Sequence, residues 1–131
     1  MDEVRSSPMP SLADESYINL ETFKKDGSGV KTPVWCAPID GRIAVFSEGK
    51  AYKVKRIQRE PRCRVAACDV RGNVRGPWVE GTARIVEDEA WIDRVLVALR
   101  KKYGIQFRAL DFFATLTGRK QRRAYISITL S

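Results

Sequence analysis

The sequence predicts a mainly β, α+β fold: one antiparallel six-stranded barrel with flanking helices. Its 131 residues are enough for one domain, and a composition of 44% apolar and 31% charged residues is typical of a globular core. Short β-prone segments are joined mainly by turns, without the alternation of strands and helices that parallel sheets require. We expect one domain over residues 16–131, after a flexible arm over residues 1–15 whose Pro, Ser and acidic residues lack periodicity.

Three consecutive strands are predicted in the first third of the chain, at about 17–24, 30–39 and 42–47. The turn residues Asp26-Gly27-Ser28-Gly29 and Asp40-Gly41 separate them and predict antiparallel hairpins. Pro33 and Pro38 cannot donate to a ladder, so the second strand is expected at a sheet edge or to be irregular.

A short, strongly basic helix is predicted at about 50–60, because Pro61 ends it and Val54 and Ile57 lie one turn apart. Strands at about 62–70 and 78–86 follow. A longer helix is expected near 88–103, with Gly104 as its C-cap, and the apolar residues of 105–117 recur at helical spacing. Alternation over 124–130 predicts the last strand.

Several classes of site are disfavoured by composition. The chain contains no histidine, which removes the commonest general base, metal ligand and partner of a Ser or Cys nucleophile. Cys36, Cys63 and Cys68 form no CxxC pair, so they are interpreted as small buried apolar residues. No Rossmann or P-loop glycine motif is present. Without a membrane-length apolar run or a secretory pattern after Met1, the expected location is cytoplasmic.

Positive charge is concentrated in two parts of the chain, whose formal net charge is +8. Residues 50–64 carry seven Lys and Arg against Glu60, and residues 91–131 carry nine against two acidic residues. Such zones can serve nucleic acid, an anionic membrane or a phosphorylated small molecule, or they can simply be solvated.

A phosphate site is predicted where the basic helix begins, because a hydroxyl, free backbone amides and cations come together there. Helical spacing places Lys53 and Arg56 on one face and Lys55 and Arg59 on a neighbouring one, so only a subset is expected to converge on one phosphate. The candidate residues are Ser47, Lys50, Lys53, Lys55 and Arg56.

A ring-binding site is predicted at Thr32, Pro33, Val34 and Trp35. An edge strand interrupted by proline leaves backbone groups that can bind the polar edge of a planar heterocycle, and Trp35 could form a wall. The alternative is that Val34 and Trp35 are barrel core. Trp78, after Gly76-Pro77, is either an aromatic exposed in a turn or one presented to the pocket of a neighbouring subunit.

These segments in this order resemble the split β-barrel flavin and deazaflavin oxidoreductases, the superfamily named after pyridoxamine 5′-phosphate oxidase. The likeness is carried by Tyr17-Ile18-Asn19-Leu20, Thr22-Phe23, Gly27, Thr32-Pro33-Val34-Trp35, Lys53-Val54-Lys55-Arg56-Ile57, Pro61-Arg62 and Glu80-Gly81-Thr82-Ala83.

The resemblance implies a six-stranded Greek-key split barrel and a homodimer with cofactor sites at the subunit interface. It implies hydride transfer between a small organic substrate and a bound deazaflavin coenzyme or FMN, with no catalytic protein side chain. Thr32 to Trp35 match the strand along the ring, and Ser47, Lys53, Lys55 and Arg56 match the segment that holds the phosphate, to which Lys50 is added.

Two features separate the chain from particular branches of that superfamily. It lacks the Arg- and His-rich ending associated with the vitamin-forming oxidase, so pyridoxine chemistry is not expected, and the absence of histidine disfavours the heme-binding branch. Two other functions remain as alternatives: a basic nucleic-acid-binding module using residues 50–64 and 119–123, and a cofactor-binding protein without turnover.

Overall fold

The computed structural model describes residues 12–47, 52–118 and 123–131. Within these ranges the chain forms seven strands and three helices. In chain order they are β1 (Tyr17–Phe23), β2 (Gly29–Val34), β3 (Cys36–Ile39), β4 (Arg42–Ser47), α1 (Tyr52–Arg59), β5 (Arg62–Cys68), β6 (Val79–Val86), α2 (Glu89–Tyr103), α3 (Ile105–Leu116) and β7 (Ala124–Leu130).

One curled antiparallel sheet contains all seven strands, in the order β2-β1-β5-β6-β7-β4-β3. Its two edge strands, β2 and β3, follow each other in the chain, so the curl brings the opposite edges of the sheet together at one residue, Trp35. The predicted mainly β split barrel with flanking helices is therefore confirmed.

The strand count is seven rather than six, because the predicted second strand divides at Trp35. Pro33 lies opposite Asn19 on edge strand β2, and Pro38 lies opposite Ile43 on edge strand β3, so each proline is on a strand that pairs on one side only in the described part of the chain. The expectation that the prolines lie at an edge is confirmed.

Both predicted hairpin turns are present. Gly27 closes the β1–β2 turn with a φ of 90°, and Asp40 and Gly41 close the β3–β4 turn with φ values of 50° and 75°. Two successive positive φ values are the geometry that favours Asp-Gly in a tight hairpin.

Two apolar clusters stabilise the fold. The first fills the concave side of the sheet and includes Ile18, Leu20, Val65 and Ile128, with Ile57 of α1 packed against them. The second joins α2 and α3 to the sheet through Val95, Leu99 and Phe107. Leu12 is buried in the first cluster, so residues just before β1 already pack on the barrel. Cys36, Cys63 and Cys68 are buried and form no disulfide, which confirms their predicted burial. The Cys36 thiol is not in purely apolar surroundings, since it lies 3.4 Å from the Lys102 ammonium.

The helices flank the sheet as the sequence predicts. The Asp88 carboxylate caps α2 by accepting a hydrogen bond of 3.0 Å from the Trp91 amide, and the Gly104 amide donates to the Arg100 carbonyl at its other end. Helix α3 buries Phe107 and Ala114. It exposes 58–83% of four large apolar side chains: Ile105, Phe112, Phe113 and Leu116.

Candidate cofactor site

A cleft of about 380 Å³ lies at the position where the two edges of the sheet meet. Strands β2 and β4, the β2–β3 junction and helices α1 and α3 all contribute to it. Its walls are formed by Tyr17, Thr32, Pro33, Val34, Trp35, Phe46, Ser47, Lys53 and Leu110. All four residues of the predicted ring site and two of the predicted phosphate site therefore share one cavity.

The side of the cleft formed by the predicted ring-binding residues is a strand edge. Strand β2 pairs with β1 from Ile18↔Val34 to Phe23↔Gly29, and no further described strand lies beyond it. Backbone polar groups outside a ladder need other partners, and a planar ligand with donors and acceptors on its rim can supply them.

Trp35 belongs both to the cleft wall and to the second apolar cluster. Its ring stacks on Tyr103 with centroids 4.4 Å apart and planes inclined by 9°. The Tyr103 hydroxyl accepts a hydrogen bond of 3.0 Å from the Cys36 amide and lies 2.9 Å from the Ser16 carbonyl, to which it donates. The two interpretations of Trp35, core and pocket wall, are thus combined in a tryptophan whose orientation is set by Tyr103.

Lys102, adjacent to Tyr103, also binds this junction. Its ammonium group donates to the carbonyl oxygens of Ala13, Glu15 and Cys36 at 2.7, 2.7 and 2.8 Å. One lysine therefore connects the segment before β1 to the start of β3. Backbone groups that the interrupted strand leaves outside a ladder are satisfied in this way by side chains of α2.

Phe46 forms another part of the cleft wall, and a buried cation lies against its ring. The Arg123 guanidinium lies 4.8 Å from the Phe46 ring centroid and 2.9 Å from an Asp111 carboxylate oxygen. Phe107 meets Phe46 edge to face, with centroids 5.9 Å apart. These contacts hold the aromatic side chain in one orientation.

The predicted anion-binding end of the cleft consists of Ser47 and Lys53. The Lys53 ammonium donates to the Ser47 hydroxyl over 3.2 Å, and Ser47 is only 5% exposed. Partial burial, followed by the nearby Arg56 charge, lowers the pKa of Lys53 below its ordinary value. An anion placed here would offset both effects, because it would compensate the desolvated positive charge.

The other predicted phosphate residues lie elsewhere. Lys55 and Arg56 line a separate concavity together with Arg59. Helical spacing predicts that Arg56 shares a helix face with Lys53, but the two side chains line different cavities. Lys50 lies outside the described residues.

Trp78, the predicted wall from a partner subunit, lies close to two cations. The Lys31 ammonium is 5.4 Å and the Arg64 guanidinium 5.0 Å from its ring centroid. Arg64 Nε in turn donates to the buried Glu21 carboxylate at 2.7 Å. The indole is half-buried within one chain and retains a surface that a ligand or a second chain can contact.

The described residues hold no cluster of three or more metal-ligating side chains. Among the helices of the described ranges, none combines the length and apolar character needed to cross a membrane.

Sequence reasoning did not identify Lys102, Tyr103, Asp111 or Arg123 as part of this region. Lys102 lies in a run of three basic residues at the end of a helix, a pattern more typical of solvated cations. Arg123 was counted in a basic zone, whereas its side chain is fully buried. A single sequence carries no local signal for these contacts, because each joins residues distant in the chain.

Comparison with solved structures gives the same architecture. A conserved hypothetical protein from Mycobacterium tuberculosis superimposes with a TM-score of 0.71 at 24% identity, covering 99% of this chain and 81% of that one. The heme storage protein HutZ of Vibrio cholerae gives 0.65 at 12% identity, with coverage of 89% and 82%. A structure named as an F420 reductase gives 0.64 at 19% identity, with coverage of 96% and 95%.

At these identities the structural matches establish the fold alone. No curated protein matches the sequence significantly. The family described as pyridoxamine 5′-phosphate oxidase matches residues 10–129, nearly the whole chain and every element of the sheet. On this match, which agrees with the curled antiparallel sheet, the chain belongs to the pyridoxamine 5′-phosphate oxidase family.

Proposed function

We propose that the protein is an oxidoreductase that binds a flavin-type cofactor, a deazaflavin coenzyme or FMN, and exchanges hydride with a small organic substrate. The observation that carries the proposal is the cleft itself, which combines an aromatic-walled strand edge with the Ser47–Lys53 pair. A planar ring that bears a phosphate on a flexible chain requires these two features in one cavity.

The residues present fit such a cofactor. The ring would lie along Thr32 to Trp35, where Pro33 withholds an N–H and the edge of β2 has no further strand beyond it in the described chain. The phosphate would accept hydrogen bonds from Ser47 and Lys53, to which Lys50 would add a charge. When bound, the cofactor supplies hydride chemistry, so no side chain needs to act as nucleophile.

The role of the protein in this chemistry is to position the two reactants. Trp35 is oriented by Tyr103, and Phe46 by Phe107 and Arg123, so both aromatic walls are held by packing before a ligand arrives. Rigid walls lower the entropy cost of aligning a cofactor ring with its substrate.

A nucleic-acid-binding function is less compatible with the same geometry. Single-strand binding uses aromatic side chains that stack with bases along a basic groove. Trp35 instead stacks on Tyr103, and Phe46 packs against Phe107. Arg123, part of the basic segment that such a function would use, is buried and paired with Asp111.

A cofactor carrier without turnover is the second candidate, and one finding favours it: a neighbour in the same fold is named as a heme storage protein. The present chain has no histidine, the usual axial heme ligand. A carrier of a flavin-type cofactor would use the same cleft and would differ only in having no substrate.

We also propose that the working unit is a homodimer, with Trp78 forming part of the pocket of the neighbouring subunit. Trp78 is half-buried, and its exposed surface is that of an aromatic anchor at an interface. The exposed apolar side chains of α3 further support association with a second protein surface. Light scattering at micromolar concentrations should give twice the 14.9 kDa chain mass, and a monomer mass would refute this part of the proposal.

The deciding experiment is a titration of cofactor-free protein with FMN and with deazaflavin coenzyme, followed by absorbance and fluorescence. At least one should bind, and Lys53→Gln should weaken it about tenfold or more, since a charge-assisted hydrogen bond contributes about 1.5–3 kcal/mol. Arg100→Gln is the matched control, because Arg100 is exposed on α2. Failure of both cofactors to bind would refute the proposal. Binding of one, with no oxidation or reduction across a panel of organic substrates, would favour the carrier.

A further inference from the structure

A second concavity, separate from the cofactor cleft, lies between the β1–β2 turn and α1. Its volume is about 400 Å³. Every residue that lines it is cationic: Lys24, Lys25, Lys55, Arg56 and Arg59. The two lysines come from the turn that follows β1, and the other three residues come from α1. The cluster is therefore assembled by the fold rather than by one run of sequence.

Two of these cations are held in place by the barrel. Arg56 Nε donates to the Thr22 hydroxyl at 2.8 Å, and an Arg59 terminal nitrogen donates to the Phe23 carbonyl at 2.9 Å. Thr22 is only 1% exposed, so the anchor of Arg56 is a fixed point of the sheet. A guanidinium group has five N–H donors, and these two bonds use one on each arginine.

This arrangement places positive charges close together. Burial, and then the neighbouring Arg59, lower the pKa of Arg56 below its ordinary value. The nearest carboxylates in sequence make other contacts: Glu21 pairs with Arg64, Asp26 accepts two hydrogen bonds from Ser28, and Glu60 accepts one from the Arg62 amide. None of the three lines the concavity.

We propose that this concavity binds a compact ligand group that carries at least two phosphates or carboxylates. Two anchored guanidinium groups, with Lys24 and Lys25 beside them, are suited to two or more adjacent negative charges. The site differs from the anion-binding end of the cleft, where Lys53 bonds to Ser47 and apolar side chains predominate.

Nucleic acid is the less favoured occupant, because no aromatic side chain lines the concavity and its volume suits one small group. The oligoanion has two potential sources, a free molecule or a charged extension of the ligand in the cofactor cleft. A charged extension of the cleft ligand rests on the proposed function, whereas a free oligoanion does not.

Isothermal titration of the full chain with tripolyphosphate tests the site, with inorganic phosphate as the comparison ligand. Tripolyphosphate should bind, and it should bind more tightly than inorganic phosphate. Arg56→Gln and Arg59→Gln should each weaken tripolyphosphate binding at least tenfold. Lys25→Gln should weaken it severalfold. Because the Lys25 side chain is exposed and takes no part in the anchoring, this variant tests the site also where an arginine variant fails to fold. Arg100→Gln and Arg108→Gln, at exposed positions on α2 and α3, are the controls and should change affinity less than twofold.

Equal weakening by Arg100→Gln would overturn the proposal, because it would indicate unspecific attraction to a basic protein. Unchanged tripolyphosphate binding in folded Arg56→Gln and Arg59→Gln variants would also overturn it. The same holds if a single-stranded DNA 20-mer binds more tightly than tripolyphosphate and both control variants weaken the DNA binding equally.

Competition with FMN, which has one phosphate, and with FAD, which has two, separates the sources. If FAD alone displaces tripolyphosphate, the site extends the cleft ligand, and if neither does, it binds a free oligoanion. Displacement by FMN would overturn the separateness of the two sites. If tripolyphosphate binds while FMN and deazaflavin coenzyme do not, the oligoanion site stands and the proposed function fails.

Discussion

Removal of one hydroxyl group at the junction between β2 and β3 should destabilise the whole barrel. In Tyr103→Phe the ring remains stacked on Trp35, but the Cys36 amide loses its acceptor at 3.0 Å. Cys36 is fully buried, so water cannot readily replace the lost oxygen. A buried donor without an acceptor costs about 1–3 kcal/mol, and we expect the free energy of unfolding to fall by that amount.

Urea denaturation followed by circular dichroism measures this change, with the dependence on urea concentration expected to stay the same. Tyr125→Phe is the matched control, since Tyr125 lies in the same apolar cluster and its hydroxyl takes no part in the contacts to Cys36 and Ser16. A loss below about 0.5 kcal/mol for Tyr103→Phe, or an equal loss for Tyr125→Phe, would show that the hydroxyl does not support the junction.

Three further changes test other parts of the site. Burial lowers the pKa of Lys53 in the folded protein. Between that lowered pKa and 10.5 the unfolded chain therefore binds more protons than the folded chain, so the free energy of unfolding should rise with pH in that window. Lys53→Met should lack this rise in urea titrations at several pH values, and an identical profile would contradict the role of burial. Glu21→Gln removes the buried carboxylate that pairs with Arg64, whose side chain is 33% exposed and lies 4.0 Å from Glu80. The free energy of unfolding should fall by about 1.5–3 kcal/mol, and a reduction below about 0.5 kcal/mol would mean that the pair is effectively solvated. Pro33→Val restores a backbone donor on the edge strand, so the complete cofactor should bind less tightly while the affinity for inorganic phosphate stays the same. Unchanged cofactor affinity in the folded variant would assign Thr32 to Trp35 to the core.

The parts of the fold that the sequence predicts well are those set by local geometry. Gly27 and the Asp40-Gly41 pair adopt the positive φ values that their turns need, and the strands beside them follow. The C-cap at Gly104 likewise depends on a residue adjacent to the helix end. These features were predictable because the residues that determine each one are neighbours in the chain.

The division at Trp35 was not predictable in this way. Val30 to Ile39 has the composition of one strand, and Pro33 indicates an edge without indicating where pairing stops. In the structure, the Cys36 amide bonds to the Tyr103 hydroxyl, whose residue lies 67 positions later in the chain. A contact of that sequence separation determines the break. The local sequence pattern therefore predicts an irregular strand but not the residue at which the strand divides.

The charged residues show the same limit. Residues 50–64 were predicted as one basic zone, yet the fold directs Lys53 into an aromatic-walled cleft and Arg56 into an all-cationic concavity. Arg123 belongs to the second basic zone but is buried beneath Phe46. Charge counts locate cations along the chain, whereas packing against distant residues determines which of them can meet a ligand.

The position of the proposed cofactor cleft follows from how this sheet closes. Strands β2 and β3 are its opposite edges and are joined through Trp35 alone, so the barrel comes together where neither strand continues the ladder of the other. At such a place backbone groups must find partners outside the sheet, and here Lys102 and Tyr103 supply them for Cys36. The edge of β2 beside Trp35 faces the cleft, with Ser47 and Lys53 at the other end. A ligand with a polar planar rim and one phosphate can therefore add its own hydrogen bonds at this junction, without displacing a strand pairing that the fold depends on.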